Sequence, residues 1–428
     1  MKKLSILLIV TISYSCNYDK ETKEELSAFE IKKEGDDFYG TKNYQSAANR
    51  YLKLIELSDF KSQKQNAAYN AACCLALQKK VDSAFVLLNK MLEYGDFNYK
   101  SNLIKDSDLK ILHNNKKWKK LLREIPELRS LNSNPDLAKI VTKDIHHFWE
   151  AYDLSEQENQ NTHTIYKKHY FDKASNGMED YMGSKVSSIN NFIQHIQSHP
   201  KLYKTIRENT LKVDDYKIEI QKSFVNFKEL YPEAKFPDVY FVVGAFTSAG
   251  TVSSSGLLIG INQMSDGDNV NTEELDFGSK LLMNKSKYVP NVVSHELIHF
   301  QQDEMKKDTI TLGYVIKEGM ADFIGELISG DTANRKIFDW AKGKEKQIWT
   351  DFKKDMYYDR YNNWIANYDT ASENSFPDLG YWIGYEICKS YYENTKYKKQ
   401  AIYDMLHIQD YRKFLTNSKW ELKLEKMQ

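Results

Sequence analysis

Two histidines stand four residues apart, His295 and His299, with Glu296 directly after the first, in the uninterrupted run from Pro290 to Gln302. On an α-helix, residues four apart lie one above the other on the same face. Two imidazoles so placed can grip one metal ion from adjacent turns, and the glutamate between them sits beside the open coordination position. That is the donor set of a zinc hydrolase: two neutral nitrogen ligands and a carboxylate base next to a metal-bound water. Pro290 suits the first turn of such a helix, where its missing N–H costs nothing. Val292, Val293, Leu297, Ile298 and Phe300 supply apolar surface to bury.

Two histidines leave a zinc site open, and a third protein ligand is required. Glu318 and Asp322 are again four apart and share one helix face. The spacing predicts a helix over Tyr314–Ser329 with Gly330 as its terminator. A two-histidine, one-glutamate site on neighbouring helices is the thermolysin-like arrangement, with Glu318 on the metal. An acid one turn later, Asp322, can accept the free ring N–H of a ligand histidine and fix its tautomer.

With these motifs the chain resembles the gluzincin metallopeptidases, and in particular a bacterial branch known only as predicted zinc-dependent proteases. The resemblance runs from about Ile140 to about Leu406. It is carried by Asp144–Trp149, Gly244–Thr251, Leu258–Ile261, the HELIH run, Glu318–Asp322 and Gly380–Tyr385. It implies an α+β, mainly α, thermolysin-like catalytic domain with a small β-sheet, hydrolysing peptide bonds. One Zn²⁺ per chain would be held by His295, His299 and Glu318, with Glu296 as the base. In gluzincins a Tyr or His from the C-terminal part donates to the oxyanion. Tyr381 and Tyr385 share a helix face and either could do so, while a packing role for the Gly380-x-x-x-Gly384 helix is the alternative.

Composition limits the partners. The 60 basic and 60 acidic residues balance, so no electrostatic argument favours nucleic acid. At the N-terminus Lys2 and Lys3 precede the apolar stretch Leu4–Ile12, too short to span a bilayer but suited to a signal segment. Ser15-Cys16 then resembles a bacterial lipoprotein cleavage site, with Cys16 as the lipidated residue. Residues 1–16 therefore read as a signal peptide and lipidation site, and 17–25 as a polar tether. The expected place is the bacterial cell envelope, lipid-anchored to the membrane and periplasm-facing, with surface exposure as the alternative. Cys73, Cys74 and Cys388 form no disulfide framework and suit small apolar packing.

The elements that must position the site follow. Residues 26–125 read as all helical with a weak repeat resembling a tetratricopeptide unit. Gly35, Phe38, Ala47, Tyr51 and Leu54 recur 37 residues later as Ala72, Leu75, Ala84, Leu88 and Met91. Such an array is either a groove for a protein partner or a spacer. After a turn-rich boundary, residues 136–428 form the second unit, with helical periodicity over Asp144–Tyr152, Thr164–Ala174, Met178–His195, Lys201–Asn209 and Tyr216–Tyr231. Two strands are expected, Val239–Val243 and Leu257–Ile261, joined by a Gly- and Ser-rich turn.

Two rivals stand beside the peptidase reading: a repeat-bearing adaptor lipoprotein whose zinc is only structural, and a zinc hydrolase of a non-peptide bond. Glu296 weighs against the first, because a structural site needs no base.

Overall fold

The computed structural model describes residues 28–95, 100–125, 132–157, 161–372 and 375–426. The signal segment, Cys16 and the tether 17–25 lie outside the described residues. The chain is mainly helical, with a small mixed sheet, around two hydrophobic cores.

The first core belongs to α1 (Ala28–Gly40), α2 (Tyr44–Leu57), α3 (Lys61–Leu77), α4 (Val81–Glu93), α5 (Lys100–Lys105) and α6 (Lys116–Glu124). A 3-10 turn over Ser107–Leu112 links the last two. The small and large positions of the sequence repeat explain the packing. Gly35 lets the Tyr51 ring cross close to α1, since a Cβ there would meet the ring at 2.9 Å. Ala47, Ala72, Ala84, Leu88 and Met91 are all buried between the helices.

The second core takes the rest of the chain, together with Phe60 from the start of α3. Its first half holds β1 (Ile140–Val141), α7 (Lys143–Gln157), α8 (Thr162–His169), α9 (Asn176–Tyr181), α10 (Ile189–Ser198), α11 (Pro200–Leu211) and α12 (Lys217–Leu230). The expected single helix over Met178–His195 is broken. After α9 the backbone widens into a π-helix, Met182–Val186, and Ser187 takes a positive φ of 74°. Ser188 then caps α10 by accepting from the Asn191 N–H. A serine pair can satisfy backbone donors locally, which interrupts a helix that apolar periodicity alone would continue.

The sheet has the order β1-β2-β4-β3, with β2 at Val239–Val242, β3 at Gly250–Val252 and β4 at Leu257–Gly260. The two expected strands are present but do not form a hairpin. β2 pairs with β4 in parallel, Val239 opposite Leu257, while β3 pairs antiparallel to β4 and forms the outer edge. β1 and β3 are only two and three residues long. Such strands carry too few positions to show alternation in the sequence.

Four elements follow the sheet: α13 (Phe277–Leu282), α14 (Val289–Gln301), α15 (Thr311–Ser329) and α16 (Arg335–Ala341). They lead to α17 (Glu345–Phe352), α18 (Leu379–Asn394), α19 (Lys398–Leu406), α20 (Tyr411–Ser418) and α21 (Trp420–Lys426). Pro290 lies in the first turn of α14, and Gly330 ends α15 in the left-handed conformation at φ 91°. α15 is the central helix, lying against α12, α14 and α18. Its contact with α18 is backbone on backbone: a Cβ on Gly319 would fall 1.9 Å from the Tyr385 nitrogen, and one on Gly384 would fall 1.8 Å from the Val315 carbonyl oxygen.

Candidate metal centre

Because α14 and α15 pack side by side, the two histidines and Glu318 converge. His299 Nε2 is 2.9 Å from His295 Nε2 and 3.1 Å from a Glu318 oxygen, and His295 Nε2 is 3.6 Å from that oxygen. Donors bound at about 2.0–2.1 Å to one tetrahedral ion stand about 3.3 Å apart. The observed spacings bracket that value, so the residues fit a zinc-sized ion. The opposite ring nitrogens are already engaged: His295 Nδ1 lies 2.9 Å from Asp322 Oδ1, and His299 Nδ1 lies 2.9 Å from Gln302 Oε1. Both Nε2 atoms thereby face the position a metal ion would take, the outer-ligand arrangement usual for metal-bound histidines.

Asp322 is itself held. Asn334 donates to both its oxygens at 3.0 and 2.8 Å, and Thr332 Oγ1 lies 3.3 Å away. Gln302 is fixed from behind by donating to the Lys317 carbonyl. The sequence reading missed Gln302, Thr332 and Asn334. Gln302 follows His299 by three residues, a spacing that could have drawn attention to it. The other two lie in the loop after α15, where no periodicity marks them.

The electrostatics suit a cation. Burial lowers the basicity of His295, but the Asp322 and Glu318 carboxylates outweigh it and hold the imidazole well above its usual range. His299 is raised for the same reason, with Glu318 countering burial. Burial would raise Glu318, yet the His299 and His295 rings hold it far below the ordinary carboxylate range. A buried group of acids that pulls protons onto imidazoles also attracts a divalent ion in their place.

Glu296 is buried in α14, and burial raises its carboxyl against the pull of His299 and His295. It sits against β3 at Gly250, where a Cβ would come 2.3 Å from its Oε1. Glu296 and His295 line a cavity of about 530 Å³ together with Lys185, Gln263, Lys336 and Tyr381. The Tyr381 ring stacks near His295, with centroids 5.9 Å apart. Tyr385, one turn later, does not line the cavity. Its hydroxyl bonds the Glu326 carboxylate, and its ring packs on Phe323 and Phe338.

Among the described residues one other group could hold a metal: Cys73, Asp106 and Asp108. Its oxygens are taken by the Tyr69 and Tyr39 hydroxyls, and burial pushes the Cys73 thiol far up. A protonated thiol is a poor ligand.

Fold and site together define a mainly helical protein with a two-histidine, one-carboxylate cluster clamped between two core helices. Residues 130–422 match the family described as gliding motility protein GldB, a lipoprotein family, and the chain belongs to that family. No curated protein and no solved structure matches the chain.

The family corrects the expectation of a gluzincin peptidase. Its members are gliding-motility lipoproteins of the cell envelope and are not known as proteases. The hydrolase reading falls with it, and the peptide substrate is left without support. HELIH and Glu-x-x-x-Asp specify how two helices present metal ligands, and that geometry serves a site with or without turnover. The expectation of a thermolysin-like domain gains no support, since no solved structure matches. Among the described residues no helix is long and apolar enough to cross a membrane.

Proposed function

We propose that this chain is a non-catalytic adaptor lipoprotein of the gliding apparatus, anchored through Cys16 and stabilised by one structural zinc ion on His295, His299 and Glu318. The observation carrying this reading is the position of the cluster: it joins α14 to α15 at the heart of the region matched by the motility family. A zinc ion there supplies a cross-link between the two helices, and its binding energy adds to folding energy. Glu296 then serves as a packing group between α14 and β3 at Gly250. The helical array of the first core offers the surface for a protein partner.

Complementation of gliding in a strain lacking this protein tests the reading. Glu296→Gln should restore movement fully and bind about one zinc per chain. His295→Ala should lose the metal, melt at lower temperature with no further response to chelator, and restore movement poorly. Cys16→Ser should lose lipid labelling and be released from membranes washed at high salt. Failure of Glu296→Gln to restore gliding, with its metal content normal, would overturn the adaptor reading.

A further inference from the structure

The balanced charge of the whole chain conceals a local excess. Between Lys105 and Glu124 there are seven basic residues against three acidic ones. Two of the three acids are engaged in the bundle, Asp106 by Tyr69 and Asp108 by Tyr39. Helix α6 sorts the rest by face. Trp118, Leu121 and Ile125 are buried against the bundle, and Lys116, Lys119, Lys120 and Arg123 occupy the opposite, exposed side. Lys117 pairs with Asp82 and Lys120 with Glu124, but Lys116, Lys119 and Arg123 have no ion pair among the described residues. Two large apolar side chains stand exposed in the adjoining segments, Ile104 at 48% and Ile111 at 44%.

Position sharpens the meaning of this surface. The first turn of α6 meets the start of α4 through Lys117 and Asp82, and the preceding turn meets the end of α1 through Tyr39 and Asp108. That is the end of the bundle where α3 finishes. The other end of α3 docks on the second core: the Lys61 N–H bonds Glu179, and Gln63 donates to the Gly183 and Ser187 carbonyls. The 17 residues of α3 put about 25 Å between the two ends at 1.5 Å per residue. Eleven residues separate Cys16 from Ala28. They can reach at most about 40 Å, which exceeds the roughly 20 Å length of α1.

We infer that the exposed face of α6, with Ile104 and Ile111 beside it, rests on an anionic lipid surface, so that the bundle holds the metal-bearing domain away from the bilayer. The chemistry recognised is that of acidic phospholipid headgroups. Unpaired lysines and an arginine supply the attraction, and the isoleucines insert at the headgroup boundary. The Cys16 anchor would hold the chain at the bilayer, and a basic patch on the body would set which face lies against it. The inference rests on the lipid-anchored part of the proposed function. The test removes the anchor so that the two can fail separately.

The mature chain from residue 16, carrying Cys16→Ser, is co-sedimented with vesicles of phosphatidylcholine alone and of phosphatidylcholine with phosphatidylglycerol, at low and high salt. Binding should require phosphatidylglycerol and fall with salt. Combined Lys116→Glu, Lys119→Glu and Arg123→Glu should weaken it on the order of tenfold or more, with the melting temperature unchanged because these side chains are exposed. Ile104→Ser with Ile111→Ser should weaken binding while leaving its salt dependence intact. Lys396→Glu with Lys399→Glu, on another exposed basic surface, should change nothing. Equal binding to both vesicle types, no binding to either, or an equal loss in the Lys396 and Lys399 variant would each overturn the inference. If the native chain took no lipid label while the Cys16→Ser protein still bound phosphatidylglycerol, the anchor would fail and the face would stand.

Discussion

His295 Nδ1 lies 2.9 Å from Asp322 Oδ1, across the contact between α14 and α15. Asp322 thus holds a proton on the ring nitrogen pointing away from the cluster, so that Nε2 could offer its lone pair to a metal ion between His299 and Glu318. Asn334 and Thr332 hold the carboxylate in turn, so two successive layers fix the orientation of the first ligand.

Loss of such a partner typically costs about 10–100-fold in metal affinity. Asp322→Ala should weaken zinc binding by that order in a competitive chelator titration while all three ligands remain. Glu326→Gln, one turn further along α15, is the comparison. Glu326 bonds Tyr385 and Arg335 and touches no ligand, so its substitution should affect stability and leave metal affinity alone. Equal zinc affinity in Asp322→Ala and wild type would show that the ring orientation is set elsewhere.

The parts of this site that were legible are those defined by spacing within one helix. His295 with His299, and Glu318 with Asp322, are four-residue repeats, and four residues is one turn. The join between the two pairs was legible only by resemblance, because nothing in either helix states which helix it packs against. Gln302 belongs to neither repeat, and Asn334 comes from a loop. Tyr381 and Tyr385 share a face by spacing, yet one turn of rise sends the second ring to Glu326. The helical crossings of the bundle were marked by the small residues Gly35, Ala47, Ala72 and Ala84, which lie buried between helices. β3 was not, because three residues beside a Gly- and Ser-rich turn show no alternation. The use to which a metal there would be put lies beyond spacing altogether, since a structural and a hydrolytic site can share one ligand set.

A pH signature comes from Asp378, at the N-terminus of α18 beside the cavity. Burial pushes its carboxyl up to about 6, against hydrogen bonds from Tyr368 and the Ala366 N–H, with Glu318 and Asp322 adding to the rise. An unfolded aspartate titrates near about 3.9. The folded state therefore holds more protons between the two values. This group's contribution to stability is fully present below about pH 4 and is lost as pH rises through about 6. Asn can accept the Ala366 N–H on its Oδ1 and tolerates the left-handed backbone at φ 59°. In urea unfolding of chelator-stripped protein, Asp378→Asn should gain on wild type between pH 4 and 7 by up to about 3 kcal/mol. Parallel pH profiles for the two proteins would show that Asp378 does not titrate in that window.

The crossing of α15 and α18 makes the sharpest demand on side-chain size. A Cβ on Gly384 would fall 1.8 Å from the Val315 carbonyl oxygen and 3.0 Å from the Gly319 Cα. Both obstacles are backbone, so no rotamer change relieves them, and the helices must move apart. Overpacking of this kind typically costs about 1–3 kcal/mol, and more where the backbone must shift. Gly384→Ala should lower stability by at least that amount. Because α15 also carries Glu318 and Asp322, the displacement should reach the metal cluster and weaken zinc binding in the folded protein. Gly40→Ala is the control: a Cβ there meets nothing within 4 Å, and stability should hold or rise slightly. If Gly384→Ala unfolds early but keeps full zinc affinity while folded, the α15–α18 contact stabilises the fold without positioning the metal ligands. If stability is also unchanged, the two helices do not pack as closely as Gly319 and Gly384 place them.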